Sequence, residues 1–187
     1  MKKLWLALWV CAALLPRAAA LSAAAAVTMD ADTGETLFAE NADSRLPMAS
    51  TTKIMTALVA LGEGDLDRVY TVKKQYAAVE GSSMYLEEGE RLTLRDTLYG
   101  LLLSSGNDAA AAVAGECGGE RAFVDKMNAK ARELGLTDTR FENPSGLPSD
   151  GHYTTARELA KITAAALRDP VFRDIVSTKT CTAAGRT

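Results

Sequence analysis

A chain of 187 residues, 48% hydrophobic and 24% charged, has the make-up of one ordinary globular domain and is long enough to bury a core. Its formal net charge of −3 becomes −6 without Lys2, Lys3 and Arg17, the only charges ahead of Asp30, and so offers no clustered basic surface to displace phosphate counterions; nucleic acid is set aside as a partner. The single histidine, His152, with no His or Cys at ligand spacing, speaks against a zinc hydrolase and counts against a Ser-His-Asp mechanism.

The chain opens as a secretory signal does. Basic Lys2-Lys3 precedes an apolar run over residues 4–15, which is followed by small Ala18-Ala19-Ala20. The run falls short of the roughly 20 residues that span a bilayer. Residues 1–20 are therefore expected to be removed on export, with the cut as late as residue 26 because residues 23–26 are also alanine. This leaves 21–187 as one mature domain, in which Cys117 and Cys181 suggest no disulfide framework.

Strand-like residues 27–30 and 36–39 flank Asp32-Thr33-Gly34 and predict a hairpin. A polar loop over 41–47 leads into a helix over 49–61, whose far half is apolar nearly all round and so belongs in a core. Gly62 and Gly64 stop it, and short extended segments follow at 69–72 and 91–94. A helix over 94–103 is broken at Ser104-Ser105-Gly106, and another runs from Asn107 to a stop at Gly118-Gly119. Residues 121–134 place Ala122, Phe123, Met127, Ala131 and Leu134 on one helical stripe capped by Gly135, with Met127 read as packing. After an irregular loop over 141–148, Thr155-Ala156-Arg157-Glu158 fits a capping box opening a last long helix to about Leu167.

Ser50 and Lys53 stand three apart at the start of the buried helix, so hydroxyl and amine share one face. A serine needs a base to become a nucleophile, and a lysine serves when desolvation lowers its pKa. Nearby backbone N–H groups at the helix start favour developing negative charge. Alone the pair is weak, since about one such spacing is expected by composition and a capping serine beside a solvated lysine explains it equally. Ser105-Gly106-Asn107, in a helix–helix connection downstream, supplies the second element found in penicillin-binding enzymes.

The chain resembles the low-molecular-mass D-alanyl-D-alanine carboxypeptidases, the S11 serine peptidases of the β-lactamase and penicillin-binding superfamily. The resemblance rests on four ordered blocks: Pro47-Met48-Ala49-Ser50-Thr51-Thr52-Lys53, Gly81-Ser82-Ser83-Met84, Ser104-Ser105-Gly106-Asn107-Asp108, and Asn143-Pro144-Ser145-Gly146-Leu147 with His152-Tyr153-Thr154-Thr155-Ala156. It implies an α+β fold in which a helical lobe carrying Ser50 and Ser105 lies against an antiparallel sheet. It also implies a peptidoglycan stem peptide ending in D-Ala-D-Ala as substrate, β-lactams as acylating inhibitors, an exported location and no cofactor. Ser50 would be the nucleophile, Lys53 its general base, Ser105 a proton relay to the leaving amine, and Asn107 a ligand of substrate and of Lys53. The family's third motif, Lys-Thr/Ser-Gly, is absent. Lys179-Thr180-Cys181 imitates it without the glycine and is read as incidental. The stretch is accordingly expected to be part of a longer reading frame, with the remaining strands and any membrane-attaching segment downstream, and to release no D-alanine by itself.

Two rivals remain open. A class A β-lactamase would need a glutamate to activate the deacylating water; Glu142 is the residue in the corresponding loop and reads more simply as a loop carboxylate. A non-catalytic penicillin-binding module would keep the fold without turnover. A sporulation role is indistinguishable from a vegetative one. His152, in a Gly- and Pro-rich loop, is expected at the surface.

Overall fold

The computed structural model describes residues 22–183, so the expected signal segment lies outside the described residues. Strands β1 (Ala26–Met29) and β2 (Thr36–Glu40) pair antiparallel, with Val27 opposite Ala39 and Thr28 opposite Phe38. The expected hairpin is present. The Asp30 carboxylate organises its turn by accepting from the backbone N–H groups of Asp32 and Thr33 and from the Thr33 hydroxyl. The chain then makes a 3-10 turn over Ala49–Thr51 and continues as α1 (Thr52–Leu61). A second two-stranded antiparallel sheet joins β3 (Val69–Thr71) to β4 (Arg91–Thr93), with the single turn α2 (Lys74–Ala77) between them.

Helix α3 (Leu94–Leu103) begins with a full capping box: Thr93 accepts from Asp96 N–H while the Asp96 carboxylate accepts from Thr93 N–H. After the break at Ser104–Gly106 come α4 (Asn107–Glu116), α5 (Glu120–Glu133), α6 (Ala156–Ala166) and α7 (Pro170–Ser177). Helix α1 touches α3, α4, α5, α6 and α7, which is why so much of its circumference is apolar. Met55 of α1 and, around it, Leu98, Leu101, Phe123, Met127, Ile162 and Ile175 are fully buried, each worth roughly 1.5–3 kcal/mol relative to exposure. The hairpin packs on α6 through β1. The architecture is the expected α+β one.

Four details depart from the expectations. Ala122 is exposed; the buried stripe of α5 is Phe123, Met127 and Ala131, spaced i, i+4, i+8, because only that narrower face meets the core. At α6, Thr155 accepts from Glu158 N–H, but the Glu158 carboxylate turns away to accept from the N–H groups of Thr137 and Asp138 and from the Thr139 hydroxyl. The side chain thus ties down the loop after α5 instead of closing the box. Helix α7 extends the chain beyond the expected last helix, with Asp169 as N-cap and Pro170 at its first position. His152 is buried, 4% exposed, because the loop around it folds onto the first turn of α1.

Candidate active site

Ser50 sits exposed in the 3-10 turn that opens α1, one turn ahead of Lys53, which is 2% exposed. The spacing delivers the expected contact: Lys53 Nζ lies 3.3 Å from Ser50 Oγ. Lys53 Nζ also donates to Asn107 Oδ1 (2.8 Å) and to the carbonyl oxygen of Ser145 (2.8 Å). A neutral amine has two N–H groups and one lone pair. Those two acceptors consume both hydrogens, which turns the lone pair toward the Ser50 hydroxyl. Burial lowers the Lys53 pKa to about 8, against an opposing pull from the Asp108 carboxylate, so the neutral form is within reach near neutrality.

Asn107 is the first residue of α4 and is clamped from behind. Its Nδ2 donates to the Glu80 carbonyl (2.6 Å) and its backbone N–H to the Ser82 carbonyl (2.7 Å). Gly81, at φ +94, lies so close that a Cβ there would come 2.6 Å from Asn107 Nδ2, which explains the glycine opening the Gly81-Ser82-Ser83-Met84 block. Asp108, also buried, fastens the same loop by accepting from the Ser83 hydroxyl (2.6 Å) and from the N–H groups of Met84 and Leu86 (3.0 Å each).

Ser105 occupies the break between α3 and α4 at φ +54, a left-handed conformation uncommon for a residue with a Cβ. It shares with Ser50, Thr51, Lys53, Ile54, Leu101 and Leu102 a shallow depression of about 300 Å³, and no hydrogen bond joins it to Ser50 or Lys53. Lys53 therefore links Ser50 to Asn107, while Ser105 lines the same depression as Ser50 and Lys53 without bonding to either. A larger cleft of about 540 Å³, lined by residues including Tyr85, Tyr99, Ser104, Lys179 and Thr180, does not include the Ser–Lys pair. Lys179-Thr180 thus lies in a different cleft from Ser50.

Sequence reasoning assigned no role to the 143–147 loop. Asn143 Oδ1 gathers the N–H groups of Ser145, Gly146 and Leu147, Thr56 donates to the Pro144 carbonyl (2.6 Å), and the turn so formed presents the Ser145 carbonyl to Lys53. The Asn-Pro-Ser-Gly run signals a turn. Nothing local in it signals which side chain that turn meets. The Glu142 carboxylate is engaged with Ser149, with Gly151 N–H (3.3 Å) and with Arg140 (3.2 Å), and its pKa is lowered first by the Ser149 hydrogen bond. It is a loop carboxylate, as expected.

Known proteins resemble this chain in sequence and in fold. A sequence model for peptidase S11, D-alanyl-D-alanine carboxypeptidase, matches residues 12–186. The chain is 45% identical over 145 residues to the D-alanyl-D-alanine carboxypeptidase DacF of Bacillus subtilis, covering 74% of this chain and 37% of that protein. It is 39% identical over 176 residues to the D-alanyl-D-alanine carboxypeptidase of Streptomyces sp. strain K15, covering 87% of this chain and 60% of that one. The crystal structure of the Streptomyces K15 DD-transpeptidase superposes with a TM-score of 0.79 at 39% identity, over 82% of this chain and 63% of the other. The D-alanyl-D-alanine carboxypeptidase of Mycobacterium tuberculosis H37Rv does so with 0.78 at 39% identity, over 81% and 58%. The chain thus spans between about a third and two thirds of the length of these relatives. With a family match over nearly its whole length, it belongs to the S11 family of D-alanyl-D-alanine carboxypeptidases.

Proposed function

We propose that this protein is a serine-type D-alanyl-D-alanine carboxypeptidase that removes the terminal D-alanine from peptidoglycan stem peptides. Ser50 Oγ attacks the carbonyl carbon of the penultimate D-alanine as its proton passes to Lys53 Nζ. The C–N bond to the terminal D-alanine breaks, and the proton reaches the leaving amine by way of Ser105. The product is an ester on Ser50 and free D-alanine. Water adds to the ester as Lys53 takes its proton, the C–Oγ bond breaks as Lys53 returns that proton to Ser50 Oγ, and the shortened peptide leaves with Ser50 and neutral Lys53 restored. Asn107 holds Lys53 and the substrate backbone, and the Ser50 N–H is one donor to the oxyanion, an interaction that often supplies several kcal/mol. A β-lactam would acylate Ser50 by the same attack.

The observation that carries this reading is the double anchoring of buried Lys53 by Asn107 Oδ1 and the Ser145 carbonyl, which leaves a base aimed at Ser50. The basic, apolar and small-residue opening of the chain supports action outside the cytoplasmic membrane. No helix among the described residues is long and apolar enough to cross a membrane. The test is labelling of the intact protein by fluorescent penicillin together with D-alanine release from a D-Ala-D-Ala peptide. Both are expected in wild type and both should fall by about 10⁴-fold or more in Ser50→Ala. Labelling without release would establish a binding module instead, and release that survives Ser50→Ala would overturn the assignment.

A further inference from the structure

The turn that presents Ser50 is held from behind by a chain of hydrogen bonds with one direction. The buried His152 ring accepts at Nδ1 from the backbone N–H of Glu142 (3.0 Å). A neutral imidazole that accepts at Nδ1 carries its proton on Nε2, and Nε2 lies 2.8 Å from Thr52 Oγ1. Burial lowers the His152 pKa, with Glu142 opposing, which favours the neutral ring. The Thr52 hydroxyl has a single proton and donates it to the Ala49 carbonyl oxygen (2.8 Å), so it receives the Nε2–H on a lone pair.

Ala49 is where this chain ends, and it is an unusual place. The residue has φ +46, a left-handed conformation that costs energy for a side chain with a Cβ and persists only where its surroundings impose it. Gly146 presses on the same peptide, since any Cβ there would collide with the Ala49 carbonyl. The Ala49 carbonyl and the Ser50 N–H belong to one planar trans peptide, so the direction of one sets the direction of the other. A carbonyl that accepts a hydrogen bond also polarises its amide and strengthens the N–H as a donor.

We infer that Thr52 and His152 are positioning residues which aim the Ser50 backbone N–H at the developing oxyanion by holding the Ala49 carbonyl on the far edge of the same peptide. The inference rests on the acyl-transfer reading of Ser50 and adds two residues to it. Neither touches substrate.

Three quantities test it in the intact protein: the acylation rate constant with fluorescent penicillin, the fraction of molecules labelled at completion, and the ring ¹⁵N shifts of His152. Thr52→Val keeps the shape and loses the hydroxyl. It should slow acylation about 10- to 100-fold, somewhat less than the loss of a whole oxyanion donor, with penicillin binding before acylation unchanged. Thr52→Ser should restore the rate. His152→Phe should slow acylation in the same sense, and the Thr52→Val/His152→Phe double variant should be no slower than the worse single, because both act through one carbonyl. Mere destabilisation would lower the labelled fraction and leave the rate of the molecules that do label untouched. Wild-type protein that is not acylated on Ser50 would defeat the proposed function. Acylated wild type with a wild-type rate in Thr52→Val, additive losses in the double variant, or a His152 ring protonated on Nδ1 would defeat this inference alone.

Discussion

The surroundings of Ser50 and the N-terminal hairpin are built on opposite principles. Around Ser50 the polar groups are buried and cross-linked by contacts between distant segments: α1 to α4 through Lys53 and Asn107, α1 to the 143–147 loop through Lys53 and Thr56, α1 to His152 through Thr52. No buried side-chain nitrogen or oxygen among the described residues lacks a hydrogen-bond partner. In the hairpin all five residues of β2 are exposed, Leu37 at 65% and Phe38 at 44%. It is held by the packing of β1 on α6 and by the Arg157 guanidinium, which donates to Asp43 (2.7 and 3.0 Å) and to the Thr36 hydroxyl (2.9 Å). An isolated two-stranded hairpin is marginal in water. Low-dielectric, fully paired networks hold the groups around Ser50 in one geometry, whereas solvated ion pairs tether the hairpin loosely.

That contrast predicts effects of very different size. After Ser50→Ala, the largest loss should come from Asn107→Ala, which removes one of the two acceptors that orient Lys53 and strips the Glu80 carbonyl of its donor. Acylation should fall roughly 100-fold, and unfolding by denaturant should show a loss of about 1–3 kcal/mol from the groups left unpaired.

The pH dependence comes next. Only neutral Lys53 can take the Ser50 proton, so with a pKa of about 8 the acylation rate should rise about 50-fold between pH 6 and pH 8 and level off above that. A profile flat across this range would remove Lys53 from the role of base. Stability has its own sign. The folded-state pKa lies below the ordinary lysine value of 10.5, so between about 8 and 10.5 the unfolded chain holds more protons and the Lys53 contribution to stability rises with pH. The charged, buried amine is a liability below that window.

The smallest effect belongs to the hairpin. Arg157→Ala should leave penicillin acylation unchanged and quicken amide hydrogen exchange in β2, with α1 and α4 exchanging as slowly as before. Exchange in β2 as slow as in α1 before any substitution would erase the distinction between the two regions.

What could be read from the residues in order is what their neighbours in sequence decide. The helix over Leu94–Leu103, the Phe123/Met127/Ala131 stripe and the Ser50–Lys53 contact all follow from spacings of three or four residues. Asp169-Pro170 carried an equally local start signal for α7 that went unread. The resemblance to the S11 family pointed to Ser50, Lys53, Ser105 and Asn107, but not to how they are held. That was decided by segments 54, 92 and 100 residues apart: Asn107 and Ser145 on Lys53, and His152 on Thr52. His152 read as a surface residue because a polar side chain among glycines and prolines normally is one. It lies in the interior because its two ring nitrogens find a donor in Glu142 N–H and an acceptor in the Thr52 hydroxyl, and a polar group can be buried only where the completed fold supplies such partners.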